Sequence, residues 1–149
     1  MCYSYFMKKY DALLFDLDGT LTESGIGITR CAAYALDTLG LTRPSTDKLN
    51  VFVGPPLRET FPKFGVKEED IDKAITIFRS RYTTIGKFEN DPYQGIVELL
   101  QHLKQKGYRL FVATSKPEGV AKEILEHFQL TQYFDVIAGA SLDASRENK

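Results

Sequence analysis

The sequence has few cysteines, no tryptophan and no excess of one charge. It holds two cysteines, Cys2 and Cys31, in 149 residues, too few for a disulfide framework, so reduced thiols and a cytoplasmic location are expected. Nineteen Lys+Arg stand against twenty Asp+Glu, which gives a formal net charge of −1. Because no basic excess or Lys/Arg-rich run occurs, the charge gives no support to binding of nucleic acid or of an anionic membrane.

Long apolar runs are also missing. No segment approaches the ~20 apolar residues that a membrane span needs, and residues 1–10 lack the apolar stretch typical of a signal peptide. Neither a P-loop pattern nor a GxGxxG pattern occurs, so nothing indicates an NTP-cradling loop or a dinucleotide fold. The composition that remains, 43% hydrophobic and 26% charged, is typical of a globular chain the size of one ordinary domain.

Apolar spacing divides the chain into an α/β part and a helical part. Residues 10–15 form an apolar run that predicts a strand buried on both faces, and further strands are predicted over 108–114 and 134–138. The predicted helices cover 26–39, 68–85, 94–106 and a stretch beyond Ser115, where Ser115-Lys116-Pro117-Glu118 has the pattern of a capping box.

The order of these elements predicts the architecture. Helix–strand–helix–strand after residue 94 indicates parallel βαβ units, so the fold class is α/β with a parallel sheet of about three strands. The helical stretch between the first two strands has no strand to contribute and must be an insertion. We therefore predict a core formed by residues 8–22 and 92–149 and an inserted all-helical cap at 23–91.

The strongest local signal is Asp16-Leu17-Asp18-Gly19-Thr20, directly after the first predicted strand. In open α/β sheets ligands bind at that end of the strands. One carboxylate can attack phosphorus while the other acts as general acid and then base. Two carboxylates beside a phosphate need a cation, and Mg²⁺ is the hard, oxygen-seeking choice.

Blander interpretations of the same residues compete. Asp18-Gly19 between apolar runs is also typical of a type I′ hairpin turn. An EF-hand loop begins with the same spacing of acids, but Leu21 and Gly27 stand where it needs Gly and Glu. A purely structural acid pair on a loop stays open.

Phe15 to Ser24 resembles, nearly residue for residue, the first motif of the haloacid dehalogenase-like phosphatases. The resemblance implies a Rossmann-like core in which Asp16 is the nucleophile and a Mg²⁺ ligand. It implies that Asp18 is the acid/base residue and lends its backbone carbonyl to the metal. An acid at position 18 favours phosphate transfer over dehalogenation.

Further segments are similar to the phosphoglycolate-phosphatase-like branch of that family, whose helical cap is of the C1 type. Leu110 to Thr114 looks like the second motif, which implies that Thr114 binds a phosphoryl oxygen and that the helix start beyond it adds backbone donors. Gly54 to Arg58 looks like the cap loop that reads the substrate, so Arg58 is expected to pair a second anionic group. The residues expected to contact the substrate are Gly19, Thr20, Ser115, Lys116 and Arg58.

Two motifs of the family depart from the pattern. The lysine of the third motif has Lys149, the last residue, as its best candidate, with Lys116 as the alternative. The acid-rich fourth motif, which completes the Mg²⁺ shell, has no match. In the family the first strand is central and is flanked on one side by strands that come late in the chain, so here it is expected to form an open apolar edge. This predicts a C-terminally truncated chain, or one that works with a second chain supplying the remaining strands.

The resemblance as a whole implies Mg²⁺-dependent hydrolysis of a small phosphate monoester, with 2-phosphoglycolate or a nucleoside monophosphate as leading substrates. A phosphosugar mutase that forms the same aspartyl-phosphate is the alternative enzyme. A non-catalytic fragment, or half of a two-chain assembly, is the alternative outside enzymes.

Overall fold

The computed structural model describes residues 9–141, which form two compact units. One unit contains the residues up to Leu17 and those from Gln94 onward; the other is Asp18–Tyr93. No helix within the described range is long and apolar enough to cross a membrane. The strands and helices are, in chain order, β1 (Ala12–Phe15), α1 (Gly25–Thr38), α2 (Thr46–Leu49), α3 (Leu57–Thr60), α4 (Ile71–Thr84), α5 (Ile96–Gln105), β2 (Arg109–Pro117), α6 (Glu118–His127) and β3 (Val136–Ala140).

The first unit contains a parallel three-stranded sheet in the order β1-β2-β3. Phe15 of β1 lies opposite Val112 of β2, and Val112 lies opposite Ile137 of β3. Helix α6 connects β2 to β3, as the βαβ pattern predicts. The α/β fold class with a parallel sheet is confirmed. Its core consists of fully buried apolar side chains from β2, α5, α6 and the turn after α6: Leu110, Val112, Leu100, Ala121, Ile124, Leu125 and Leu130.

The prediction that the first strand is buried on both faces is wrong for the described residues. Strand β1 begins at Ala12 rather than Tyr10, and among residues 9–141 it pairs with one strand only, at the edge of the sheet. One of its faces is uncovered there, since Ala12 and Leu14 are both exposed, Leu14 to 70%. The expected open apolar edge is therefore confirmed. The hairpin interpretation of Asp18-Gly19 is wrong, because β1 pairs in parallel with β2.

The predicted capping box at Ser115 is also wrong. Strand β2 continues past Thr114 to Pro117, because Pro117 still pairs with Ala140 of β3 after a register irregularity. Helix α6 begins only at Glu118, with Pro117 at its N-cap and no side-chain cap hydrogen bond. Ser115 therefore lies in a strand, and the helix start is four residues beyond Thr114.

The second unit, Asp18–Tyr93, is built from helices. Helices α1 and α4 are each 14 residues long and pack against each other. Short 3-10 turns complete the unit, among them Asn50–Phe52, Phe61–Phe64 and Gly86–Phe88. An aromatic cluster fills the space beside α4, with the rings of Phe52 and Phe61 5.0 Å apart and those of Phe78 and Tyr82 stacked at 5.6 Å. These contacts and the buried face of α1 form the core of this unit.

Candidate functional site

Asp16 follows the last residue of β1, at the carboxyl end of the sheet where α/β proteins bind ligands. Its side chain is half-buried, and Oδ1 accepts a hydrogen bond from the backbone N–H of Leu17 at 2.8 Å. Leu17 itself is fully buried. The buried neighbour and the backbone hydrogen bond together hold the Asp16 carboxylate at the end of its strand.

Thr114 lies at the same end of the neighbouring strand β2. Because Phe15 pairs with Val112, the register places Asp16 and Thr114 at the same end of the sheet, where the two strands end. Thr114 is buried, and its Oγ1 accepts a hydrogen bond from the backbone N–H of Lys116 at 3.2 Å. Within this unit the sheet brings together two of the predicted catalytic residues, followed by an exposed Ser115 and a half-buried Lys116.

Asp18, Gly19 and Thr20 form a turn that belongs to the second unit. The backbone N–H of Gly19 donates to the carbonyl of Thr22 at 2.9 Å, and Gly19 has a φ of +76°. That left-handed conformation favours glycine. Asp18 is half-buried, whereas Gly19 and Thr20 are exposed. The turn is therefore accessible on its Gly19-Thr20 side.

Two chain segments of the second unit hold this turn in place. The N–H of Tyr93 donates to the carbonyl of Leu21 at 3.1 Å, and the N–H of Glu23 donates to the carbonyl of Asp91 at 2.8 Å. Between them the side-chain amide of Asn90 donates to Thr22 Oγ1 at 3.2 Å. Hydrogen bonds between residues some 70 positions apart thus fix the segment that follows the acid pair.

A cavity of about 260 Å³ opens beside the turn, within the same unit. Three of its polar lining side chains were not singled out from the sequence: Ser24, Asn50 and Tyr93. Ser24 ends the segment that resembles the first family motif, but its meeting at one cavity with Asn50 and Tyr93 depends on the packing of distant segments. The complete lining is Gly19, Glu23, Ser24, Gly25, Asn50, Val53 and Tyr93.

Arg58, the expected partner of a second anionic group, lies in α3 and forms an ion pair with Asp72 of α4. It does not line the cavity. Lys149, the best candidate for the lysine of the third motif, lies outside the described residues. Asp135 is held at the opposite end of the sheet, because its Oδ2 accepts from the N–H of Leu110 at 2.8 Å. That hydrogen bond is the main cause that lowers the pKa of Asp135.

The described residues offer a small donor set for a metal ion. Residues 9–141 contain no group of three or more His, Cys, Asp or Glu side chains arranged to hold one. Mg²⁺, however, is commonly bound by one or two carboxylates together with water and substrate phosphate. Asp16 and Asp18 fit that chemistry. Both side chains offer hard oxygen donors, and Asp16 lies at the carboxyl end of the sheet.

Comparison with known proteins agrees with this picture. Residues 13–146 match the family described as haloacid dehalogenase-like hydrolase. The chain is 42% identical over 142 residues to the 5′-nucleotidase of Pseudomonas aeruginosa, covering 95% of this chain and 64% of that protein. It is 44% identical over 137 residues to the tyrosine-protein kinase PtkA of Mycobacterium tuberculosis, covering 92% of this chain and 47% of that protein.

A solved structure shows the same fold. The haloacid dehalogenase-like family protein of Streptococcus pneumoniae superposes with a TM-score of 0.87 at 33% identity, over 95% of this chain and 66% of that one. The chain thus spans less than two thirds of the length of each of these three proteins.

Proposed function

Because the chain belongs to the haloacid dehalogenase-like hydrolases, we propose that it carries the phosphoryl-transfer site of a phosphatase that hydrolyses small phosphate monoesters. The observation that supports this most directly is the register of β1 and β2, which places Asp16 and Thr114 at the same carboxyl end of the sheet. An Asp nucleophile and a hydroxyl donor at that end suit attack on a phosphoryl group.

The proposed reaction has two steps. In the first, a carboxylate oxygen of Asp16 bonds to phosphorus, the ester P–O bond breaks, and Asp18 gives its proton to the departing alkoxide. In the second, Asp18 takes a proton from water, the resulting hydroxide attacks phosphorus, and the aspartyl-phosphate bond breaks to release phosphate and restore Asp16. Thr114 donates a hydrogen bond to a phosphoryl oxygen, and Ser115, Lys116, Gly19 and Thr20 contact the substrate.

Mg²⁺ is the cofactor we propose, held by the Asp16 carboxylate and by Asp18. When bound it neutralises the charge that accumulates between two carboxylates and a phosphate. The remaining ligands and the neutralising lysine of the family are assigned to Lys149 or Lys116 and to residues that a second chain supplies. We further propose that residues 23–91 act as the cap and that the protein works in the cytoplasm.

The test is hydrolysis of p-nitrophenyl phosphate with and without Mg²⁺. We expect Mg²⁺-dependent release of p-nitrophenol that falls at least ~1,000-fold in Asp16→Asn, since removing a nucleophile costs that much or more. Asp11→Asn, an exposed carboxylate just before β1, is the matched control and should keep full activity.

The two products are measured separately. Release of p-nitrophenol without matching inorganic phosphate indicates transfer to an acceptor other than water, as in a mutase or a kinase. Undiminished activity of Asp16→Asn contradicts the assignment of the nucleophile. A folded wild-type chain that releases no p-nitrophenol contradicts the phosphatase proposal for this polypeptide.

A further inference from the structure

We infer that Gly139 of β3 is a positioning residue for the phosphoryl transfer, because it lets the part of β2 that carries Thr114 pack closely against β3. This inference rests on the proposed function, in which Thr114 donates a hydrogen bond to a phosphoryl oxygen. Gly139 is itself buried within the sheet, so we assign it no contact with the substrate. It acts on the reaction through the backbone of β2.

The pairing of β2 with β3 is irregular beside Gly139. Ala113 pairs with Ala138, and the next paired residue of β2 is Pro117, whose partner lies two residues further along β3. Three residues of β2, 114–116, therefore stand opposite Gly139 alone, and β2 bulges. A β-bulge bends its strand and re-aims the side chains, and bulges are common next to active sites. The bulged residues are those proposed to contact the phosphate ester: Thr114, Ser115 and Lys116.

The backbone beyond the bulge lies so close to Gly139 that no side chain fits there. A Cβ on Gly139 would lie 2.5 Å from the carbonyl oxygen of Lys116, 2.7 Å from Cα of Glu118 and 2.8 Å from its backbone nitrogen. All three are backbone atoms, which cannot rotate away as the end of a flexible side chain can. Gly139 is not among the glycines with a positive φ. Space, and not backbone conformation, therefore requires glycine at this position.

The same contact bears on the orientation of Thr114. Its Oγ1 accepts a hydrogen bond from the backbone N–H of Lys116 at 3.2 Å, so one bulged residue holds the hydroxyl group of another. Because the hydroxyl is the acceptor in this bond, its own proton can be donated to a phosphoryl oxygen. A methyl group at position 139 would displace Lys116 and, with it, the N–H that holds Thr114. A displacement of about 1 Å at a catalytic group can cost ~100-fold in rate.

The experiment compares the wild type with Gly139→Ala by titrating each ¹⁵N-labelled protein with inorganic phosphate in the presence of Mg²⁺. In the wild type we expect phosphate to shift the amide resonances of Ser115, Lys116 and Glu118. Gly139→Ala should move the same resonances before phosphate is added and weaken phosphate binding at least ~10-fold, the range of one hydrogen bond. Its kcat/KM for p-nitrophenyl phosphate should fall ~10- to 100-fold.

Two variants of the same unit control for a loss of stability. Gly107→Ala makes the same exchange just before β2, where a φ of +74° strains alanine but a Cβ meets nothing within 4 Å. Leu130→Ala truncates a fully buried side chain in the turn after α6. Both residues precede a strand and lie toward the amino end of the sheet, away from the bulge. Both variants should lose stability yet bind phosphate within ~2-fold of the wild type.

The wild-type protein provides a second test, which decides the matter if Gly139→Ala fails to fold. The close contact predicts nuclear Overhauser effects from the Gly139 Hα atoms to the N–H and Hα of Glu118. Phosphate should also shift the amide resonance of Gly139, although no contact with phosphate is assigned to it. Both observations together would support the inference, and the absence of either would overturn it.

Failure of this inference is distinguishable from failure of the proposed function. Unchanged phosphate binding in Gly139→Ala, or an equal loss in Gly107→Ala, would overturn the positioning role even in an active phosphatase. A folded wild-type chain in which phosphate shifts none of the amides of residues 115–118 would overturn it as well. Phosphate binding that Gly139→Ala weakens, in a protein that fails the p-nitrophenyl phosphate test, would support the positioning role and contradict the hydrolysis.

Discussion

At the scale of single residues, two glycines allow α1 to lie against the 3-10 turn at Gly86–Phe88. A Cβ on Gly27 would lie 2.0 Å from the carbonyl oxygen of Gly86 and 2.9 Å from that of Glu89. A Cβ on Gly86 would lie 2.4 Å from the Sγ of Cys31. The N–H of Gly27 uses this proximity to donate to the Glu89 carbonyl at 3.0 Å. The absence of two side chains therefore permits a backbone contact.

Gly27→Ala should accordingly destabilise the protein although alanine favours helices. The new methyl group meets backbone atoms that cannot rotate away, so we expect a loss of at least about 1–3 kcal/mol in the free energy of unfolding. Gly119→Ala is the matched control, because a Cβ on Gly119 in α6 meets nothing within 4 Å. It should raise stability by up to about 1 kcal/mol. Urea denaturation measures both, and an unchanged midpoint for Gly27→Ala would contradict the contact.

The sequence predicted some of these residues and not others, for a physical reason. Cys31 follows the apolar spacing of the helix predicted over 26–39, and it is fully buried. The need for glycine at position 27 depends on backbone atoms 59 and 62 residues further along the chain. No local pattern reports such a contact. Ser24 and Asn50 were missed at the cavity for the same reason.

At the scale of elements, one charged cluster joins α1, α4 and the segment after Gly86–Phe88. Arg81 of α4 donates to Glu89 at 2.7 Å and to the Sγ of Cys31 at 3.2 Å, and Arg30 of α1 donates to Glu89 at 2.8 Å. The hydrogen bond from Arg81 is the main cause that lowers the pKa of Glu89, with Arg30 adding to it. Burial raises the pKa of the Cys31 thiol despite the nearby Arg81.

The stability contributed by Glu89 should depend on pH in a defined direction. Because its pKa is lower in the folded than in the unfolded protein, the contribution is complete above its ordinary pKa of 4.5 and is lost as pH falls through the folded value. Glu89→Gln should cost about 1–2 kcal/mol at pH 7, and the difference from wild type should shrink below pH ~4.5.

Thermal or urea unfolding of the two proteins between pH 3 and pH 7 measures this difference. Glu68→Gln, an exposed carboxylate in the 3-10 turn Glu68–Asp70, serves as the control and should stay near wild type at pH 7. A cost for Glu89→Gln that stays constant down to pH 3 would show that packing, and not ionisation, sets the contribution of this side chain.

Element boundaries show where local patterns stop being sufficient. Helices α1 and α4 follow their apolar spacing because each buries one face within its own unit. Strand β2 passes through residues that locally favour a helix start, because β3 supplies hydrogen-bonding partners as far as Pro117. The capping-box prediction failed at this point, since strand pairing is a long-range interaction that short patterns do not contain.

At the scale of the whole molecule, the edge at β1 is the main departure from a self-contained sheet. Within residues 9–141, β1 pairs with β2 only, and Leu14 is 70% exposed. A row of backbone donors and acceptors beside an exposed leucine is a template for another strand. This exposed edge supports the proposal that a second chain pairs with it.

The purified chain should therefore associate with itself through β1 when no other partner is present. Leu14→Lys should weaken that association at least ~10-fold, because a lysine on an edge strand opposes pairing with a further strand. Ile85→Lys is the control, since Ile85 is 55% exposed but belongs to the helical unit. Sedimentation velocity over a range of concentrations measures the effect, with circular dichroism to confirm that each variant is folded. A wild-type chain that stays monomeric at ~100 µM, or an equal effect of both lysines, would show that the β1 edge does not recruit a second copy of this chain.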